Sequence, residues 1–170
     1  MISLRSPEID HGSQRWVMQQ VKKARAGGAE ISKPSWNAQG WLPAIVPGTV
    51  LNSLVAAGVY PEPYHGLNNA HELHRIPDLA ETGPDFYTYW FRTKFRLPPS
   101  FKDRRVVLQF DGINYRAEIW LNGRKLGDMA GMFHRGYFDA TDVIDRSGDN
   151  ALAVLVKPVD EPGGFRKKEK

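Results

Sequence analysis

Cysteine is absent from this 170-residue chain, which excludes disulfides, thiolate zinc sites and a cysteine nucleophile while leaving the compartment open. No apolar run approaches the roughly 20 residues that a membrane-spanning helix needs, so no membrane partner is expected. Residues 1–11 lack the basic and apolar regions of a secretory signal; a periplasmic or secreted location follows only if such a leader has been removed. No G-x-S-x-G elbow, Walker loop or G-x-G-x-x-G run is present, so serine-hydrolase, nucleotide and dinucleotide chemistry has no visible anchor. Internal repeats are also lacking.

Excess charge is scarce as well. The net charge is +4, but Arg166, Lys167, Lys168, Glu169 and Lys170 alone carry a net +3. Nucleic acid requires cations spread along one folded face to neutralise successive phosphates. The cations here form a tail, and the Lys22, Lys23 and Arg25 group runs into Gly27 and Gly28 as a solvated turn. No nucleic-acid partner is expected. The length suits one domain over residues 1–165, followed by a basic tail at 166–170.

What the chain does have is short alternating segments. In residues 87–97 the side chains of Tyr87, Tyr89, Phe91, Thr93, Phe95 and Leu97 alternate with polar or mixed partners, predicting a strand with one buried face. Val106, Leu108 and Phe110 repeat the pattern after Pro98 and Pro99, predicting an antiparallel neighbour. Ala117, Ile119 and Leu121 share one face of a further strand. It runs into Asn122-Gly123, a pair suited to a type I′ hairpin. Residues 151–156 are apolar at both parities, predicting a strand covered on both sides. Further strands are expected near residues 16–21 and 44–46. Thr49 should cap one short helix over 50–57, ended by Gly58, with Leu51, Leu54 and Val55 facing the core.

Residues 60–84 show no period and read as a long loop, a kind of segment that is often functional. Many short strands with turn-rich connections predict an all-β sandwich, because two half-apolar sheets hide their inner faces against each other. Periodicity alone leaves jelly-roll and immunoglobulin-like sandwiches open.

Candidate chemistry is sparse. Glu118 lies on the polar parity of its strand, where an exposed carboxylate or a partner of Arg92 or Arg116 is weighed against a catalytic acid. His65, His71 and His74 share the long loop with Glu72, but His71 and His74 are three apart where the helical zinc motif needs four. Asp145, Ser147 and Asp149 imitate the start of a calcium loop, yet Asn150 and Val156 stand where glycine and glutamate belong, which predicts a turn. No metal or other cofactor is expected. Aromatics outside the strand patterns include Trp36, Trp41, Tyr60, Tyr64, Tyr115, Phe133 and Tyr137. Sugars present a C–H face that packs on such rings and a hydroxyl rim that needs Asp, Asn or Arg. The alternative role for each ring is closing the end of the core.

Several runs together resemble the amino-terminal domain of family 2 glycoside hydrolases. They are Trp41-Leu-Pro-Ala-Ile-Val-Pro-Gly-Thr-Val-Leu51, Gly58-Val-Tyr-Pro-Glu-Pro-Tyr64-His-Gly-Leu-Asn68 and Tyr89-Trp-Phe-Arg-Thr-Lys-Phe95. Phe110-Asp-Gly-Ile-Asn-Tyr-Arg-Ala-Glu-Ile-Trp-Leu-Asn-Gly123, Phe138-Asp-Ala-Thr141 and Asn150-Ala-Leu-Ala-Val-Leu-Val156 follow in the same order. The β-mannosidase and exo-β-glucosaminidase branch is the most similar.

The resemblance implies a galactose-binding-like jelly roll. It also implies a parent enzyme that hydrolyses β-linked sugars, exo-acting and with retention, using two glutamates on a later (β/α)₈ barrel. The partners would be carbohydrate and that barrel, and this chain would hold no catalytic residue. The positions it suggests for sugar contact are Asn68, Asn69 and Asp160. Tyr64, Trp41 and Tyr115 join them as candidate substrate-binding residues from their aromatic and loop character. The competing expectations are a free-standing carbohydrate-binding module and a structural interaction domain docking through Leu67 and Leu73.

Overall fold

A computed structural model describes residues 1–5 and 16–159. The predicted boundary at residue 165, the basic tail and Asp160 lie outside the described residues. The chain order is β1 (Val17–Gln20), α1 (Val21–Ala24), α2 (Gly28–Ile31), β2 (Leu42–Pro43), α3 (Val50–Ala56), α4 (Leu79–Thr82), β3 (Tyr89–Phe95), β4 (Val107–Phe110), β5 (Arg116–Leu121), β6 (Arg124–Ala130), β7 (Gly136–Asp139) and β8 (Asn150–Lys157). Six strands form one antiparallel sheet in the order β2-β1-β3-β8-β5-β6, and β4 with β7 forms a second. The fold is the expected all-β jelly-roll sandwich. Three one-turn helices (α1, α2 and α4) accompany the expected one.

The main core lies between the sheets. Met18, Phe91, Ile119, Leu121, Leu152 and Val154 line it from the large sheet, with Leu108, Phe110 and Phe138 packed on it from the small one. Residues of one parity therefore meet as period-2 alternation requires. The Asn122-Gly123 turn has φ 49° and 87°, the positive pair a type I′ hairpin demands, and only glycine adopts the second without steric cost. β8 is the covered strand the apolar run predicted, lying between β3 and β5.

Four expectations need correction. First, β3 and β4 do not pair: β3 lies between β1 and β8, and β4 pairs with β7. A 3₁₀ turn at Pro99–Phe101 carries the chain from one sheet to the other, and the Arg146 guanidinium fixes that crossing by donating to the carbonyls of Phe101 (2.6 Å) and Arg104 (3.1 Å). Second, both faces of β3 are buried, because Ile31, Ala24 and the partly buried Trp36, Trp41 and Trp120 cover Trp90, Ala153 and Leu155 on the outer side. Third, the edge strand is Leu42–Pro43, and residues 44–46 follow it without strand structure. Fourth, α3 turns Leu54 into the core with Val50 beside it, while Leu51 and Val55 stay half-buried. Its predicted cap is present: Thr49 Oγ1 accepts the Asn52 N–H at 2.9 Å.

The outer layer depends on one close approach. A Cβ on Gly28 would stand 2.3 Å from Trp120 Cε2, so only glycine lets α2 lie against the indole. The Gly123 N–H donates to Ser32 Oγ at 2.9 Å, and Ser32 Oγ donates to the Gly28 carbonyl at 2.6 Å, tying the hairpin turn to the end of α2.

Candidate sugar-facing end of the sandwich

Strand register decides which loops share an end. Tyr89 and Ala117 both oppose Val156, and Arg116 opposes both Lys157 and Ala130. The start of β3, the start of β5, the end of β6 and the end of β8 therefore meet at one edge of the large sheet.

The segment of residues 60–87 enters and leaves at this end. Tyr60 and Tyr87 pack against the main core at its two limbs, and Tyr60 lies close enough to Tyr87 and Tyr89 to raise the pKa of both, second to burial. Burial first, then these neighbours, pushes the Tyr87 phenol up to about 12. It stays neutral and donates to the Pro77 carbonyl at 2.5 Å, stapling the descending limb. Short helical turns at His71–Leu73, Leu79–Thr82 and Pro84–Tyr87 occupy what reads as unstructured loop in the sequence.

The candidate residues divide into three groups. Tyr64, Asn68 and Asn69 lie on the loop: Tyr64 is 91% exposed, Asn69 is exposed and Asn68 is half-buried. The Asn68 amide is already engaged, its Nδ2 donating to the Glu62 carbonyl at 2.9 Å and its Oδ1 accepting from Arg75 at 2.8 Å. Arg75 was not anticipated, because nothing in the sequence spacing links it to Asn68. Tyr115 reaches the same end. Its N–H donates to the Lys157 carbonyl at 3.1 Å, its own carbonyl accepts the Gly131 N–H at 2.8 Å, and the peptide between Asn114 and Tyr115 is cis. Trp41 instead packs in the outer cluster with Trp36 and Trp120. Asp160 lies outside the described residues, three positions beyond Lys157.

An open groove of about 500 Å³ lies on the outer face of β5, β6 and β8, lined in part by Arg116, Glu118, Asp128 and Lys157. Glu118 and Asp128 sit opposite each other across β5 and β6, so an acid/base pair must be considered. A glycosidase acid needs a carboxyl whose pKa is raised. Burial pushes Glu118 up, but the Lys157 hydrogen bond and charge, together with Lys125, outweigh it and leave the net shift downward. Lys157 Nζ stands 2.8 Å from Glu118, while Lys125 Nζ stands 2.8 Å from Asp128 and 3.8 Å from Glu118. Each carboxylate has an ammonium group at 2.8 Å, and the lowered pKa of Glu118 is the opposite of what a proton donor needs. Glu118 takes Lys157, Lys125 and the Trp120 indole N–H (3.4 Å) as partners; the expected Arg92 instead donates to backbone carbonyls beneath α2.

Among the described residues no group of three or more His, Asp or Glu side chains could hold a metal. Asp145 closes a turn, accepting from the backbone N–H groups of Ser147 and Gly148, each at 2.8 Å. The backbone hydrogen bond from Ser147, then that from Gly148, lowers its pKa.

Residues 16–169 match the family model described as the glycosyl hydrolase 2 galactose-binding domain-like domain. The chain belongs to that family. Its relatives include the mannosylglycoprotein endo-beta-mannosidase of Lilium longiflorum, 38% identical over 87% of this chain, and the exo-beta-D-glucosaminidase of Streptomyces avermitilis, 30% identical over 84%. The galactose-binding-like domain spans 15% of the length of each. Among solved structures, the exo-chitosanase CsxA of Amycolatopsis orientalis superposes with a TM-score of 0.71 at 27% identity, covering 86% of this chain and 16% of that one. The domain is thus of the kind found in β-mannosidase and glucosaminidase-type family 2 enzymes.

Proposed function

We propose that this chain is the non-catalytic, sugar-positioning domain of a longer retaining hydrolase of β-linked mannosides or glucosaminides. One observation carries the reading. Tyr60 and Tyr87, the two limbs of the segment that carries Tyr64, Asn68 and Asn69, pack on the core near the start of β3, and the register puts Tyr115 and the end of β8 at that same end. That segment carries an exposed ring, Tyr64, and an exposed amide, Asn69, five residues apart in the chain, the two kinds of group a sugar needs. The lysine-paired state of Glu118, with its pKa lowered, supports placing bond cleavage on other polypeptide. Asn68 acts by holding the loop through Glu62 and Arg75, and Asn69 and Tyr64 meet the saccharide. The names of the relatives include both endo- and exo-acting enzymes, and both names specify a β-linked sugar.

The experiment is steady-state kinetics on the full polypeptide with aryl β-mannoside and aryl β-glucosaminide. Asn69→Ala removes one sugar hydrogen bond and lowers kcat/KM roughly tenfold, the equivalent of about 1.4 kcal/mol, with the melting temperature unchanged. Wild-type kinetics in both Asn69→Ala and Tyr64→Ala would overturn the proposal.

A further inference from the structure

The loop of residues 131–135, between β6 and β7, presents Met132 at 43% and Phe133 at 93% exposure. A soluble surface tolerates scattered apolar residues, but two adjacent ones at a loop tip need a reason. This tip is also tied down. Gly131 donates to the Tyr115 carbonyl at 2.8 Å and His134 to the Gly131 carbonyl at 3.4 Å. Arg135 pairs with Asp111 at 3.5 Å, and the Met132 carbonyl lies so close to Gly112 that a Cβ there would meet it at 2.9 Å. The loop is built to hold a ring outward.

Its position is equally specific. Ala130, the residue before the loop, opposes Arg116, which in turn opposes Lys157. Phe133 therefore lies on the loop that leaves the same sheet end at which β8 finishes, with β5 between the two strands.

We infer that Met132 and Phe133 are the anchor that seats this domain on the polypeptide following it in the parent enzyme, by inserting into an apolar pocket there. This rests on the reading that the chain is part of a longer hydrolase. Two points favour that occupant over an unrelated protein. The relatives carry most of their length outside the region this chain matches, which spans 15% of each. An intramolecular partner that begins at the exit of β8 also meets this loop at high effective concentration. A large aromatic ring in a pocket is the commonest form of interface anchor.

The test is hydroxyl-radical footprinting of Met132 and Phe133 in the 170-residue chain and in the full polypeptide. Docking takes Phe133 from nearly full exposure to interface-core burial, so its labelling falls roughly tenfold in the full polypeptide. Equal labelling in the two proteins overturns the inference. So does protection in the isolated chain that rises with its concentration, because a second copy would then be the occupant. The footprint is read whether or not the full polypeptide cleaves a glycoside, so protection in an inactive protein would sink the proposed function alone.

Discussion

Replacing Arg92 with methionine is expected to lower the unfolding free energy by about 3 kcal/mol, close to the upper end for single substitutions. Arg92 is 4% exposed on the outer face of β3, and among the described residues its hydrogen-bond partners are backbone carbonyls rather than carboxylates. Its Nε donates to the Ile31 carbonyl at 2.8 Å, and its Nη2 to the carbonyls of Lys33 at 3.0 Å and Trp36 at 3.3 Å. The guanidinium is thus a strut that satisfies the chain leaving α2. Methionine fills similar volume but takes the donor from the Ile31 and Trp36 carbonyls, each costing about 1–3 kcal/mol if water cannot reach it, while the Lys33 carbonyl keeps the Trp36 N–H at 3.0 Å. Part of that loss is offset because the buried cation, whose pKa is lowered by desolvation, no longer has to be kept from water. At about 2–4 °C per kcal/mol for a domain this size, the melting temperature falls by roughly 10 °C. Arg92→Lys retains a donor but not the fork, and should lie between the two. Urea melts of the three proteins provide the measurement; a methionine variant as stable as the parent would mean that the outer layer does not depend on this strut.

Asn150→Ala should cost about 2–4 kcal/mol by a related mechanism at the opposite end of the sandwich. Asn150 is fully buried. Its Nδ2 donates to the Asp145 carbonyl at 2.7 Å, and its Oδ1 accepts from the Asp145 N–H and from Asn122 Nδ2, each at 2.7 Å. Asn122 in turn donates to the Val143 carbonyl at 2.9 Å and accepts the Ala151 N–H at 3.0 Å. The two amides lock the hairpin turn, the start of β8 and the turn at Asp145 into one network. Truncation leaves an unpaired donor and acceptor and a small cavity together. The double variant with Asn122→Ala should lose less than the two single losses summed, since both break the same network. Full additivity in a denaturant double-mutant cycle would show that the two amides act separately.

Much of the fold can be read from the chain because local chemistry and the tertiary answer agree there. Asn122-Gly123, Thr49 with Gly58 and the apolar run of β8 each name their own conformation, through positive φ, a capping oxygen and double-sided burial. The sequence pattern suggests that β4 pairs with β3 because neighbours in sequence usually pair in space. Here a 3₁₀ turn held by Arg146 crosses between sheets, and the carbonyls that Arg146 bonds leave no mark in the sequence. The outer layer was hidden for a similar reason. Trp90 and Arg92 occupy the polar parity of β3, and only the nonlocal arrival of α2 buries them.

The candidate site was legible as residue types but not as geometry. The Tyr64 to Asn69 run carries an aromatic ring and two amides in one stretch, and strand register puts Tyr115 at the end of the sheet where that segment joins β3. The engagement of Asn68 by Arg75, seven residues on, depends on how the loop folds back, which periodicity does not encode. Trp41 reads as a loop aromatic near a turn, yet it packs over β-strand side chains in the outer cluster.

The central claim is that this domain shapes a sugar site while other polypeptide breaks the bond. Its most direct test is turnover of aryl β-mannoside and aryl β-glucosaminide by the 170-residue chain alone, beside the full polypeptide under the same conditions. The account predicts hydrolysis by the full polypeptide and none above background by the isolated chain. Turnover by the isolated chain that Glu118→Gln abolishes would contradict it.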